Sequence, residues 1–157
     1  MAKKPEQPAR RILNKKARHD YHIHQTVEAG IILVGTEVKS LRQGQGQLTD
    51  AFVRINGYKA TLYGCQIDRY APAADRNHEP QRNRRLLLHR RELRKLSGDL
   101  QQKGFTLIPL SIFFNSRGLA KVELGLATGK KSFDKRQSMR KRDHQREIDR
   151  AMSRKSR

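Results

Sequence analysis

Cysteine is nearly missing from this chain: Cys65 is the only one in 157 residues. No intrachain disulfide framework can form, and secretion is not indicated. Acidic residues are scarce beside basic ones, 15 Asp+Glu against 35 Lys+Arg, so the formal net charge is +20. Hydrophobic residues reach only 35%, against roughly 45–50% in an average soluble protein. A core can form, but not along the whole length. No apolar run approaches the ~18 residues of a membrane span. The N-terminal MAKKPEQPARR is basic without the apolar stretch of a signal peptide, and Pro5, Glu6 and Pro8 disfavour an amphipathic targeting helix. The expectation is a cytoplasmic protein of one domain, or of a smaller domain with tails. A charge this large repels itself in a compact state and calls for a polyanionic partner.

The charge is unevenly placed. Residues 1–18 carry +6, residues 76–96 carry +6 and residues 129–157 carry +8, so the remainder is neutral overall. Three basic blocks around a balanced body point to a phosphate backbone more than to solvated ends. The expected organisation is a basic N-terminal extension (1–18), an RNA-binding body (19–128) and a basic C-terminal tail (129–157).

The body reads mainly as strand. YHIHQTVEAGIILV (21–34) is rich in β-branched residues and is interrupted at Glu28-Ala29-Gly30, which predicts two strands or one bent strand. Val38 and Leu41 shift to helical spacing, with Thr36 as a cap and Gly44 as a stop. AFVRI (51–55) and KATLYGCQI (59–67) flank Asn56-Gly57, a pair suited to a tight hairpin turn. Ala51, Val53 and Ile55 share one face; Leu62 falls on one face of the second arm, and Tyr63, Cys65 and Ile67 on the other. Residues 68–85 read as a loop. Leu93, Leu96 and Leu100 form the stripe of a helix over about 89–103, stopped by Gly104. FTLIPLSIFF (105–114) and LAKVELGLA (119–127) complete the strands, Pro109 marking an edge or a bulge. Six short, hairpin-joined strands and two to three helices predict a small antiparallel barrel resembling an OB-fold. The tail has almost nothing to bury and is expected to be disordered when free and helical against phosphates.

Signals for enzyme chemistry are weak. Gly129-Lys130 lacks the flanking residues of a phosphate loop. His22 and His24 alternate, but no further ligand pair completes a metal site, so two surface histidines are expected. Cys65 reads as a small core residue. Asp20, Glu28, Glu37, Asp50 and Asp68 are scattered, as charge-balancing acids are. No cofactor is called for. Arg82-Asn83-Arg84-Arg85 before Leu86-Leu87-Leu88 differs from a plain charge run: a basic turn on an apolar anchor can aim Arg82, Arg84 and Arg85 at phosphates. His19, Tyr21 and Phe133 lie beside basic residues and could stack on unpaired bases, a core position being an equal reading for Tyr21.

Five stretches, in order, carry a family resemblance: NKKARHDY (14–21), EAGIILVGTEVKSLR (28–42), Leu48-x-Asp50, RNRRLLLHRREL (82–93) and GLATGKKSFDKR (125–136). Together they resemble SmpB, the SsrA-binding family of bacterial trans-translation. The resemblance implies an OB-like barrel that is a binding factor and not an enzyme. It implies a monomer on the tRNA-like domain of transfer-messenger RNA (tmRNA), alanyl-tmRNA carried with elongation factor Tu, and entry into ribosomes stalled on mRNA without a stop codon. There the protein would stand for the anticodon side of a tRNA. Family positions for tmRNA binding fall on Asn14, Glu28, Leu88 and Lys121, with Lys15, Arg18 and Arg42 as basic neighbours. Positions used on the ribosome fall on Lys130, Lys131, Asp134, Lys135 and Arg136, and His19 matches one near the decoding centre. Phe133 departs from members that have histidine there. The competing expectations are a ribosomal or assembly protein bound to rRNA, and a metal-dependent RNA nuclease built on the scattered acids.

Overall fold

Alternation of side chains organises the longest strand. In β2 (Tyr21–Ile31), His22, His24, Thr26 and Glu28 face solvent while Tyr21, Ile23, Gln25 and Val27 are half-buried. The interruption expected at 28–30 is absent, because Ala29 and Gly30 continue the pairing with the strand Ala120–Gly129; the irregularity is instead a bulge between Ile23 and Gln25. The molecule, a computed structural model, is described over residues 11–102 and 104–155. Most of the expected N-terminal extension and the extreme C-terminus lie outside the described residues.

The strands are β1 (Ile12–Leu13), β2, β3 (Gly46–Gln47), β4 (Phe52–Asn56), β5 (Lys59–Tyr63), β6 (Gln66–Ile67), β7 (Arg84–Leu87), β8 (Phe105–Phe114) and β9 (Ala120–Gly129). All pairs are antiparallel, and the large sheet runs β1-β8-β4-β5-β7-β2-β9, with β8 also pairing β9. That last pairing closes the sheet into a ring, which removes its long edges and makes the OB-like barrel expected. Among the described residues four α-helices accompany it, α1 (Ala17–Asp20), α2 (Gly35–Arg42), α3 (Arg90–Leu100) and α4 (Ser132–Lys155), with one 3-10 turn at Ala71–Ala73.

Leu62, Leu107, Ile112, Val122 and Leu124 fill the barrel interior, capped by Leu41 of α2 and by Leu93 and Leu96 of α3. Truncating one such Leu to Ala costs about 2–5 kcal/mol. Pro109 sits beside a bulge between Pro109 and Ser111, as its lack of an N–H requires, but in a strand paired on both sides. The extra residue flips the side-chain parity: Leu107 points inward before the bulge and Ile112 after it. Ile108 and Leu110 point out instead and meet Ala17, Ala127, Tyr21 and Ile23 in a second, smaller core. That outer core seats α1 on the barrel wall, so residues 11–18 are built into the fold rather than extending from it.

Three local expectations need correction. The hairpin register pairs Asn56 with Lys59, so the two-residue turn is Gly57-Tyr58, with Gly57 at positive φ in the first central position. Cys65 and Ile67 join Leu62 in the core despite their parity, because Gly64, at φ +68, turns the chain; a Cβ there would lie 2.8 Å from the Asp50 carbonyl oxygen. Finally, part of the expected 68–85 loop opens strand β7, where Arg84 and Leu86 are buried and Arg85 and Leu87 exposed. The tail is a single helix in this structure, Ser132–Lys155; residues 139–153 are exposed on every side.

Candidate nucleic-acid interface

Antiparallel register brings three of the expected tmRNA-binding residues together. Gly30 of β2 pairs with both Lys121 of β9 and Leu87 of β7, so Glu28, Lys121 and the Leu87-Leu88 step line one cleft of about 450 Å³. Lys121 Nζ lies 3.4 Å from Glu28 Oε1. That ion pair opens to solvent on the Glu28 side and is long, so it is weak, about 0–1 kcal/mol, and both partners can exchange it for another ligand. Leu87 and Leu119, 53% and 56% exposed, form the apolar rim. A carboxylate, an ammonium and apolar walls in one cleft suit a nucleobase: the carboxylate accepts from base amino groups and the ammonium donates to carbonyl or phosphate oxygens.

The expected ribosome-contacting residues gather at the far end of the β2–β9 ladder, where Tyr21 pairs with Gly129. Asp20 is the hub. His19 Nδ1 and Lys135 Nζ lie 2.8 and 3.3 Å from its Oδ1, and its carbonyl accepts from the Lys130 amide at 2.8 Å. The Lys130 ammonium donates to the Arg18 carbonyl, and Asp134 lies 3.6 Å from His22. The hydrogen bond from His19, with Lys135, holds the Asp20 carboxyl below its ordinary range. Asp134, Lys130 and Lys135 thus dock the start of α4, while Lys131, Arg136 and Phe133 remain exposed, Phe133 by 74%.

Asn14 is brought into the fold rather than onto the surface. Its side-chain amide donates to the Leu48 and Pro109 carbonyls, both at 2.9 Å, and its oxygen accepts from the Ala17 amide. With its polar atoms engaged inside, it acts by fixing the turn that presents Lys15 and Arg18, both exposed. Arg42, at the end of α2, lies over the Phe114 ring at 5.6 Å.

The basic turn at 82–85 corrects the sequence expectation most. Arg84 is wholly buried: its guanidinium donates to Glu37 Oε1 and to the carbonyls of Cys65, Arg82 and Pro80. Arg82 grips both oxygens of the same carboxylate at 2.8 and 2.6 Å, and the Val34 amide donates to Oε2. Neither arginine is aimed at phosphates; both are consumed in packing the loop and α2 onto the barrel. Only Arg85 of the three points freely outward. Burial alone would raise the Glu37 carboxyl, but the donors from Arg82 and Val34 and the charge of Arg84 outweigh it and hold it below its ordinary value. Alongside, His78 Nε2 faces the Ile67 carbonyl and so must donate, leaving Nδ1 to meet the Thr36 hydroxyl at 2.8 Å.

Cys65 is buried, and burial pushes its thiol up to about 11, which makes it an inert core residue. His22 and His24 are exposed, as expected, and His24 contacts the Thr128 hydroxyl. Among the described residues, no group of three or more His, Cys, Asp or Glu side chains is placed to hold a metal ion, and no helix is long and apolar enough to cross a membrane. The Glu37 hub was not legible in sequence, since its partners lie 45 and 47 residues away; a glutamate three residues after Val34, at the head of an amphipathic helix, was its one local sign.

The SmpB family model, described as SmpB protein, matches residues 11–154. The SsrA-binding protein of Acidothermus cellulolyticus is 54% identical over 141 residues, covering 90% of this chain and 88% of that protein. That of Methylobacterium nodulans is 52% identical over 149 residues, covering 94% of each. Among solved structures, a chain from the work described as "tmRNA-SmpB: a journey to the center of the bacterial ribosome" is 52% identical with a TM-score of 0.67, covering 78% of this chain and 85% of its own. Homology over nearly the full described length, on the same fold and with the five sequence stretches in place, means that this chain belongs to the SmpB family.

Proposed function

We propose that this chain binds the tRNA-like domain of tmRNA through the Glu28–Leu88–Lys121 cleft and works on stalled ribosomes through the Asp20 end and the tail. It is an RNA-binding factor for trans-translation, and no reaction is assigned to it. The observation that carries the division is the ladder itself. The cleft lies at Gly30–Lys121 and the tail root at Tyr21–Gly129. Nine steps along β2, from Tyr21 to Gly30, separate them, roughly 30 Å at about 3.3 Å per residue. Two distinct surfaces on one rigid barrel can hold two large RNA partners at once, as a bridge between tmRNA and the ribosome must. Delivery of alanyl-tmRNA with elongation factor Tu, one protein per tmRNA, and action in the cytoplasm belong to the same reading.

Charge reversal at Lys130, Lys131, Lys135 and Arg136 should leave affinity for the tRNA-like domain nearly intact and abolish peptide tagging on stalled ribosomes. Glu28→Ala with Lys121→Ala should do the opposite in the binding assay, lowering affinity and discrimination against ordinary tRNA. Tagging that survives the tail reversal removes the tail from the ribosomal role; affinity lost in parallel moves it into the tmRNA interface.

A further inference from the structure

On the outer face of β4, β5 and β7, Leu87 rims the cleft described above, but Phe52, Arg54, Lys59, Thr61, Tyr63 and Arg85 belong to neither surface. The fourteen residues of these three strands, FVRIN, KATLY and RRLL, contain no acid on either face. The register places Arg54, Thr61 and Arg85 in one row across the three strands. The two arginines are therefore about 10 Å apart, two strand spacings. Lys59 stands near the hairpin end of β5, and among the described residues none of these three cations has a carboxylate partner. Beside the row, Phe52 and Tyr63 are cross-strand partners whose rings lie nearly parallel, at 11°, with centroids 5.4 Å apart. The Arg54 guanidinium covers both rings, at 5.3 and 5.8 Å. Arginine held on aromatic rings loses less freedom when it binds, and keeps its donors available for an anion.

The geometry points to a second RNA surface, on which Phe52, Tyr63 and Arg54 form a stacking platform for an unpaired base and Arg54, Lys59 and Arg85 take the adjoining phosphates of a single strand. Flat π-surface beside an uncompensated cationic row is what single strands need, since every unpaired base offers a face and every link a charge. Duplex RNA buries its base faces and could use only the cations. An acidic protein segment could also pair with the cations but would have no use for the platform.

The test uses the full-length protein and a short single-stranded oligoribonucleotide carrying photoactivatable 4-thiouridine, beside a duplex of the same sequence. Crosslinks should map within residues 52–63. Tyr63→Ser should weaken the single strand about tenfold, with Tyr63→Phe retaining binding and the duplex unaffected. Lys59→Ala/Arg85→Ala should lower the logarithmic salt slope by about 1.4, at roughly 0.7 per lost phosphate contact on a single strand. Circular dichroism melts of all variants should match the parent, since the replaced side chains lie on the outer face. Crosslinks confined elsewhere, equal losses for duplex and single strand, or a polyglutamate peptide that binds with the same dependence on these residues would overturn the assignment. So would a parallel loss of affinity for the tRNA-like domain, which would make this face part of the tmRNA cleft; the Glu28 and Lys121 variants report on that cleft separately.

Discussion

Replacing Glu37 with Gln removes one negative charge from a site that water does not reach. Glu37 and Arg84 are both 0% exposed in their side chains, and Arg82 is 30% exposed. The carboxylate accepts four hydrogen bonds, two from Arg82, one from Arg84 and one from the Val34 amide. Gln keeps the shape but turns one acceptor into a donor, which then faces other donors, and it leaves the Arg84 cation buried without an anion. Breaking a buried pair in this way costs about 3–5 kcal/mol. For a chain of this size that is a drop in midpoint of about 6–20 °C. Urea unfolding followed by circular dichroism should show a lower midpoint with an unchanged slope. Arg84→Met should also destabilise, because the carbonyls of Cys65, Arg82 and Pro80 lose their donor. Glu37→Gln combined with Arg84→Met should cost less than the sum, since it removes charge and counter-charge together. The pH dependence follows from the depressed carboxyl. The charged form is favoured by folding, so its stabilisation is fully present above the ordinary value of 4.5 and is lost as pH falls through the lower folded value. A Glu37→Gln protein within 1 kcal/mol of the parent, estimated by this assay against the expected ~3–5, would refute the reasoning.

Asn14→Ala should lower stability by about 1–3 kcal/mol, the cost of stranding buried polar groups, and weaken tmRNA binding only through displacement of Lys15 and Arg18; unchanged urea stability with a full loss of binding would instead make Asn14 a direct contact. Asp20→Asn should release the first turn of α4, raising amide hydrogen exchange over residues 132–138. The same release should occur in the parent below the ordinary Asp value of 3.8, because the folded carboxyl is depressed and its contribution vanishes as pH falls through it; protection that is insensitive to both changes would show that the helix is held by something other than Asp20.

What the sequence made legible was local. The hairpin around Gly57, the Leu93–Leu96 stripe of α3 and the alternation of Val122, Leu124 and Leu126 all declare themselves within ten residues, and the structure places the hairpin and the alternating strand in the barrel and the stripe against it. The misses share one cause, which is that the deciding partner is distant. RRLL alternates with period two, but Arg84 reads as an interior residue only once Glu37 is known to sit beneath it. Cys65 and Ile67 appear on the wrong face until the turn at Gly64 is placed against Asp50. Asn14 resembles a surface contact until Leu48 and Pro109 are brought to it from two other segments. Glu28, Leu88 and Lys121 come from three segments, and only the Gly30 register assembles them into a cleft.

Charge counting has the same limit, and the internal basic block shows why. Of the eight Lys/Arg in residues 76–96, Arg82 and Arg84 neutralise Glu37 and tie the loop to α2, so they are structural charges. Arg85 alternates outward into a sheet face free of acids, and Arg90, Arg91, Arg94 and Lys95 lie exposed along α3. The net charge of the block is unaltered by this sorting, yet the location of the available charge moves from the turn to the sheet and the helix. Substituting Arg84 by a neutral residue would therefore lower RNA binding by unfolding the scaffold. Substituting Arg85 would leave the scaffold intact. A salt titration separates the two, because phosphate contacts change the slope of affinity against salt, whereas a loss of folded protein changes only the apparent active fraction.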